Sequence, residues 1–284
     1  MKKIHEVAGG AVNSIDLSGF TIAFKGAGEM ASGVAVRLQR AGFRRIVMLE
    51  LDAPVAVRRH VSFCEAVYDG SCMVEDIAGV VADSPESMEK AWGNGQVAVV
   101  VDPGWELLGK VGPDVVIDAT LAKKNLGTTV DEAPLVVGLG PGFTAPIDVH
   151  RVIETNRGHD LGRIIAKGSA EPNTGIPGNI GGYTVERVLR APADGKFSSL
   201  CTIGDQVKRG EGIGEVDGTI VVAPIDGVLR GLIRSGTAVK SGLKIGDIDP
   251  RGKVEYCRTV SEKSRAIGGA VLEAILSYFA TSKR

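Results

Sequence analysis

Gly26, Gly28 and Ala31 follow the apolar run 22–24 in the spacing G-x-G-x-x-A. Those types at that spacing let a backbone turn sharply, admit a phosphate close to its amides and keep the following helix against a sheet. Lys25 stands immediately before the turn, where a cation can neutralise a phosphate or pair with a carboxylate at a strand end. Glu50 closes the next apolar run, 46–49, and is the residue type that binds a ribose hydroxyl, at a distance from Gly26 slightly beyond the usual one. Glu29 pulls the other way, since at a helix start it suits the dipole and repels a bound pyrophosphate. The same glycines also suit a packing turn in an α/β domain that binds no dinucleotide.

Further along, Arg58, Arg59 and His60 form a compact basic patch before an expected short helix through Phe63, Ala66, Val67 and Tyr68. They are candidates for binding phosphate or carboxylate, or are solvated arginines at a helix end. Cys64 on that helix is either a thiol activated by Arg59 and His60 or a small buried hydrophobe. Asp118 ends the run 115–117 and can bind a hydroxyl or act as a base; Lys123 or Lys124 can pair with an anion. Gly140 and Gly142 belong to the glycine-rich end of the run 135–137. The stretch 148–162 crowds His150, Glu154, Asn156, Arg157, His159 and Asp160 together. His150 and Glu154 would share a helix face, but H-E-x-x-H is absent and no third ligand stands at a definite spacing. We read a polar binding loop with Asn156 and Arg157, and no metal centre.

The elements that must position these residues follow from periodicity. Residues 21–50 read as strand, tight turn, helix, strand. Ser84-Pro85 starts a short helix, with a serine cap and proline at the first position. The runs 97–101, 115–117 and 135–137 are buried strands, each ending in a polar or glycine-rich loop. Repeated placement of such loops implies one ligand crevice at the carboxyl ends of a Rossmann-like parallel sheet, 14–166. A Gly/Pro-rich linker follows, 167–190. Residues 191–252 then repeat at a period of 32: Ala191-Pro192-Ala193-Asp194-Gly195 returns as Ala223-Pro224-Ile225-Asp226-Gly227, and two further blocks keep the register. Two copies of short β-branched runs suggest a β sandwich in which each half covers the other. The pattern resembles the barrel-sandwich domains of the biotinyl/lipoyl superfamily, whose carriers hold a modified lysine in the central hairpin. Here that hairpin, 216–220, has no lysine, so no swinging arm is expected. In 253–284, Ser261 caps a helix with an apolar stripe that needs a partner, in the first domain or in a second subunit. Lys263 and Arg265 in its first turn run against the dipole, so an anion nearby would suit them.

The chain of 284 residues has 33 basic and 34 acidic residues, a formal net charge of −1 and 5% aromatic residues. That balance argues against nucleic-acid and anionic-membrane surfaces and against stacking platforms for single strands. Residues 1–17 contain no apolar core of signal-peptide length, and no run reaches the roughly 18 residues of a membrane span. The four cysteines form no C-x-x-C pair. A cytoplasmic protein with free thiols is expected.

KGAGEMASGVAVRL at 25–38, AVRRHVSFCEAVYDG at 56–70, VVIDATLAKKN at 115–125, VVGLGPGF at 136–143, HRVIETNRGHDLGR at 150–163, GLKIGDIDPRG at 242–252 and SEKSRAIGGAVLEAIL at 261–276 resemble the YqeB-like accessory proteins of the selenium-dependent molybdenum hydroxylase system, themselves distantly similar to XdhC-type chaperones. The resemblance covers nearly the whole chain. It implies maturation of a molybdenum hydroxylase, or insertion of its cofactor or selenium, with that hydroxylase or its maturation proteins as partners and a nucleotide-like or pterin anion as ligand, a molybdopterin cofactor or NAD. It carries no catalytic residue with it and leaves open whether the protein is an enzyme. An NAD-dependent oxidoreductase and a non-catalytic assembly protein, either one able to form homo-oligomers, are the competing readings.

Overall fold

The computed structural model describes residues 16–281, so the reading of the N-terminus as leaderless rests mostly on residues outside those described. Thr21–Lys25 (β1) sends Ile22 and Phe24 into one apolar layer and Ala23 into the other, as a strand buried on both faces must. The glycine turn leads into α1 (Glu29–Arg40), and β2 (Arg45–Glu50) returns parallel to β1. There follow α2 (Ala66–Asp69), β3 (Ser71–Val74), β4 (Ile77–Val81), α3 (Pro85–Gly93), β5 (Val97–Val101), α4 (Leu108–Val111), β6 (Val115–Asp118), β7 (Leu135–Leu139), β8 (Arg151–Ile153) and β9 (Ile164–Ile165). Ser84 and Ser87 form a capping box at the start of α3, with Pro85 at its first position.

These nine strands make one sheet in the order β3-β4-β5-β2-β1-β6-β7-β8-β9. Its interior is parallel, but the outer pairs β3–β4 and β8–β9 are antiparallel, so the sheet is mixed and not purely parallel. The reason is connection length: Glu75 and Asp76 alone join β3 to β4, and a two-residue link can only reverse the chain. From β1 the chain passes to β2, goes out to the edge at β3, returns inward through β4 and β5, and then crosses to β6 on the other side of β1. That reversal opens a crevice beyond the carboxyl ends of β1 and β6.

The expected short helix after the basic patch is present in reduced form. Residues 59–61 and 63–65 are separate 3-10 turns, and only the four residues of α2 are α-helical. His150 and Glu154 do not share a helix face: Arg151–Ile153 is a strand pairing parallel with β7, where its β-branched residues pack well.

The second unit has eight strands: β10 (Val188–Arg190), β11 (Gly195–Ser199), β12 (Gln206–Val207), β13 (Gly212–Val216), β14 (Thr219–Val222), β15 (Gly227–Leu232), β16 (Ala238–Val239) and β17 (Lys244–Asp249). They form two four-stranded sheets, β10-β17-β15-β12 and β14-β13-β11-β16. β15, β16 and β17 begin 32 residues after β11, β12 and β13, so each sheet is the other's repeat-related counterpart. Phe197, Ile213 and Val216 from one sheet meet Leu229, Ile245 and Ile248 from the other in a shared core.

The chain then returns. α5 (Glu262–Thr281) lays Ile267, Val271 and Ala274 into the same layer as Val34 and Leu38 of α1, so its apolar stripe is covered within the chain. No helix among the described residues is long and apolar enough to cross a membrane. Contact between α1 and α5 is close because Gly33 has no side chain: a Cβ there would lie 2.5 Å from Ser264 Cβ and 2.7 Å from Val260 Cγ1. We expect Gly33→Leu to cost about 1–3 kcal/mol through overpacking. Urea unfolding reads this directly, and an unchanged midpoint would show that the helices have slack.

Candidate functional site

Two cavities meet at the top of the large sheet. The first, of about 630 Å³, is the crevice at the strand reversal, lined by Gly26, Gly28, Glu50, Leu51, Trp105 and Thr120 among others. Its walls are largely apolar. The second, of about 770 Å³, lies where the sheet, the β unit, the 171–179 segment and the start of α5 converge. Eight basic residues line it against three carboxylates, Glu29, Glu171 and Asp247. Glu29 and Met30 line both cavities, so the two are neighbours across these side chains. Volumes of this size are those of small-molecule sites.

Of the residues singled out from the sequence, Gly26, Gly28 and Glu50 reach the apolar crevice, and Arg58, Lys123, Asn156 and Arg157 reach the basic cavity. Gly26 needs its positive φ of 91°, and a Cβ there would press on Ala119 O at 3.4 Å. Glu50 turns back onto the loop: Ala27 N donates to Oε2 and Leu51 N to Oε1, each at 2.8 Å. At the start of α1, Glu29 accepts from Arg58 Nη1 at 2.8 Å and from Ser261 Oγ at 3.2 Å. Arg58 is buried and also donates to the carbonyls of Tyr256 and Thr259, tying the large sheet to the segment before α5.

Lys25 and Asp118 line neither cavity; they hold the floor. Lys25 is 0% exposed, and its Nζ donates to Thr128 Oγ1 and Glu132 Oε1, both at 2.7 Å. Thr128 Oγ1 in turn donates to Asp118 Oδ2 at 2.6 Å, while Thr120 donates through N and Oγ1 to Asp118 Oδ1. Lys25 Nζ also sits 4.1 Å from the centroid of the Trp105 ring, a crevice wall. Arg59 lies at the seam between the two units, donating from Nε to Leu232 O at 2.8 Å, and lines neither cavity. Gly140 and Gly142 act through close approach, since Cβ atoms there would meet Thr155 Oγ1 at 2.5 Å and Lys124 N at 2.7 Å.

Other groups read from the sequence are structural. His150 Nδ1 accepts from Val136 N at 3.0 Å, which leaves the ring proton on Nε2. Glu154 accepts from the backbone of Asn156 and Glu171. Burial pushes the Cys64 thiol well up, with Glu50 and Glu65 adding to it, so it is no activated nucleophile. Among the described residues no His, Cys, Asp and Glu cluster could hold a metal ion.

Sequence reasoning missed Arg187 and Arg230. Both are buried against Asp247, and Arg230 Nη1 also reaches Asp249 Oδ2 at 3.2 Å. The available signal was Arg230 in the otherwise apolar strand β15, the same signal that drew attention to Lys25. Burial pushes the Asp247 carboxyl up, yet Lys244, Arg230 and Arg187 more than offset this and hold it below its ordinary value. Lys263 on α5 lines the basic cavity and makes no hydrogen bond or ion pair among the described residues. Burial, with Arg157 adding, pushes its ammonium down.

No family model matches the chain. It is 49% identical over 255 residues to the uncharacterized protein YqeB of Escherichia coli (strain K12), a match covering 90% of this chain and 47% of that protein. The chain thus spans about half the length of the curated relative it matches. Among solved structures, TcdA (CsdL) aligns over 94% of this chain and 90% of its own at 14% identity and a TM-score of 0.33. A succinylglutamatedesuccinylase/aspartoacylase from Rhodobacter sphaeroides aligns over 50% of this chain and 59% of its own at 17% identity and a TM-score of 0.21. Likenesses of that size say nothing about chemistry.

Two outcomes follow from the buried charges. Lys25→Met leaves Glu132 and the Thr128–Asp118 pair without their cation and should cost about 3 kcal/mol in thermal or denaturant unfolding; a melting temperature within a degree of the parent would contradict the network. Asp247 binds fewer protons when folded than when unfolded, so its contribution is complete above about pH 4 and lost as pH falls through its lower folded value. Asp247→Asn should therefore lower stability at neutral pH by about 3 kcal/mol and flatten the acid limb of the stability profile. An acid limb as steep as the parent's would assign that limb to other carboxylates.

Proposed function

We propose that this chain is an accessory protein that binds a nucleotide-like or pterin-bearing anion and serves the maturation of a molybdenum hydroxylase, or the insertion of its cofactor or selenium. The observation that supports the reading is an apolar crevice lying beside a basic cavity, with Glu29 and Met30 lining both. A flat heterocycle suits the first, beside Trp105 and Leu51, and phosphates suit the second. The motif resemblance supplies the biological setting. The molybdopterin-type ligand is cargo, to be held and released, and the hydroxylase or its maturation proteins are the partners. In this reading the chain comprises a Rossmann-like domain at 14–166, a linker at 167–190, a barrel-sandwich domain at 191–252 and a terminal helix at 253–284, and it works in the cytoplasm.

An NAD-dependent oxidoreductase is less well supported. Both oxygens of Glu50 already accept backbone amides, so a ribose would have to compete with the turn for its acid. A non-catalytic assembly role has one observation in its favour: Leu200, Ile220 and Val222 are exposed on the sheet that ends in β14. Calorimetry with a molybdopterin dinucleotide, NAD and NADP on the same sample separates these. We expect the pterin nucleotide to bind with at least micromolar affinity, about −8 kcal/mol, and NAD to bind far more weakly. Tight NAD binding without pterin binding would replace this reading with the oxidoreductase, and no binding of any of the three would leave the assembly role.

A further inference from the structure

The glycine turn is poorly disposed to hold phosphate. Gly26 N donates to Leu49 O, and Ala27 N donates to the Glu50 carboxylate. A second carboxylate, Glu29, occupies the first position of α1. Two negative charges thus flank the helix end at which a Rossmann-like protein ordinarily places a pyrophosphate.

The basic cavity offers the opposite field. Arg58 and Arg187, each 4% exposed, line it, and in both the Nε is buried without a hydrogen-bond partner. Such orphaned donors cost free energy unless something accepts from them. Lys263 brings an ammonium with no ion pair among the described residues to the first turn of the 20-residue α5. Arg157 stands at the rim, its Nη2 2.6 Å from Glu262 Oε1, and can swing between that exposed carboxylate and a bound anion.

We infer that this cavity is a diphosphate site, in which Lys263 at the start of α5 and Arg157 in the loop after β8 take the charge that a glycine turn usually takes. For the identity of the whole ligand the inference rests on the nucleotide-like reading above; for the anion it rests on the cavity alone. A ligand that passes over Glu29 and Met30, which line both cavities, would lay its base in the apolar crevice and extend its phosphates toward α5.

The probe is inorganic pyrophosphate, titrated calorimetrically into the full chain and into Lys263→Met, Arg157→Gln and Gly28→Ala. Lys263 has no internal partner to lose, and a Cβ on Gly28 meets nothing within 4 Å, so these two variants should melt with the parent. We expect pyrophosphate to bind the parent, to weaken about tenfold or more in Lys263→Met and Arg157→Gln, to weaken with added salt and to bind Gly28→Ala unchanged. Loss in Gly28→Ala with full affinity in Lys263→Met would return the phosphates to the glycine turn and overturn the inference. So would no binding by the parent. A pterin dinucleotide titrated in parallel separates the two proposals. If it binds Lys263→Met as well as the parent, the ligand reading stands and the diphosphate site falls. If pyrophosphate binding depends on Lys263 and no nucleotide binds, the site stands and the ligand reading falls.

Discussion

The close seating of α5 on α1 at Gly33 governs the upper half of the molecule. Gly268 makes the reciprocal approach, where a Cβ would lie 3.0 Å from Arg37 Cβ. Because two backbones come this near, the chain after the β unit returns to the large sheet and brings Ser261 to Glu29 and Lys263 to the basic cavity. Arg58 secures the same approach from the other side through Tyr256 O and Thr259 O. Without that seating the β unit would be held mainly by Arg59, by Arg234 on Glu65 and Asp69, and by the contact of Gly231 with Val57, and the cavity would lose a wall.

Buried charge shapes both cavities but serves different ends. The Lys25–Thr128–Asp118 chain lies under the apolar crevice and fixes the loop after β6 and the Trp105 ring. Asp247 gathers Arg187, Arg230 and Lys244 into the wall of the basic cavity. Buried pairs of this kind are weak sources of net stability and strong determinants of geometry, because removing one partner strands the other. The first network leaves Glu132 Oε2 without a partner. The second leaves the Arg187 Nε unused. What separates them is position: Arg187 lines a cavity, and Lys25 and Glu132 line neither.

What was legible in the sequence was local. The strand–glycine–helix unit and the Ser84 cap each depend on neighbours in the chain, and each corresponds to an observed element. His150 and Glu154 do not share a helix face because Val152 and Ile153 between them favour a strand, which a four-residue spacing also satisfies. Lys25 could be read as ligand contact or ion-pair member because a lone lysine in an apolar strand looks the same in both cases; only Glu132, 107 residues away, distinguishes them. The basic cavity was illegible for the same reason. Arg58, Arg157, Arg187 and Lys263 come from four separate segments, and only the packing of α5 and the β unit against the sheet brings them together.

The account turns on where a bound ligand puts its charge. A crystal structure of the full chain with a nucleoside diphosphate tests this most directly. The account expects the base between Trp105 and Leu51 and phosphate density within hydrogen-bond distance of Lys263 and Arg157. Phosphates seated on the amides after Gly26, or a ligand outside both cavities, would contradict it.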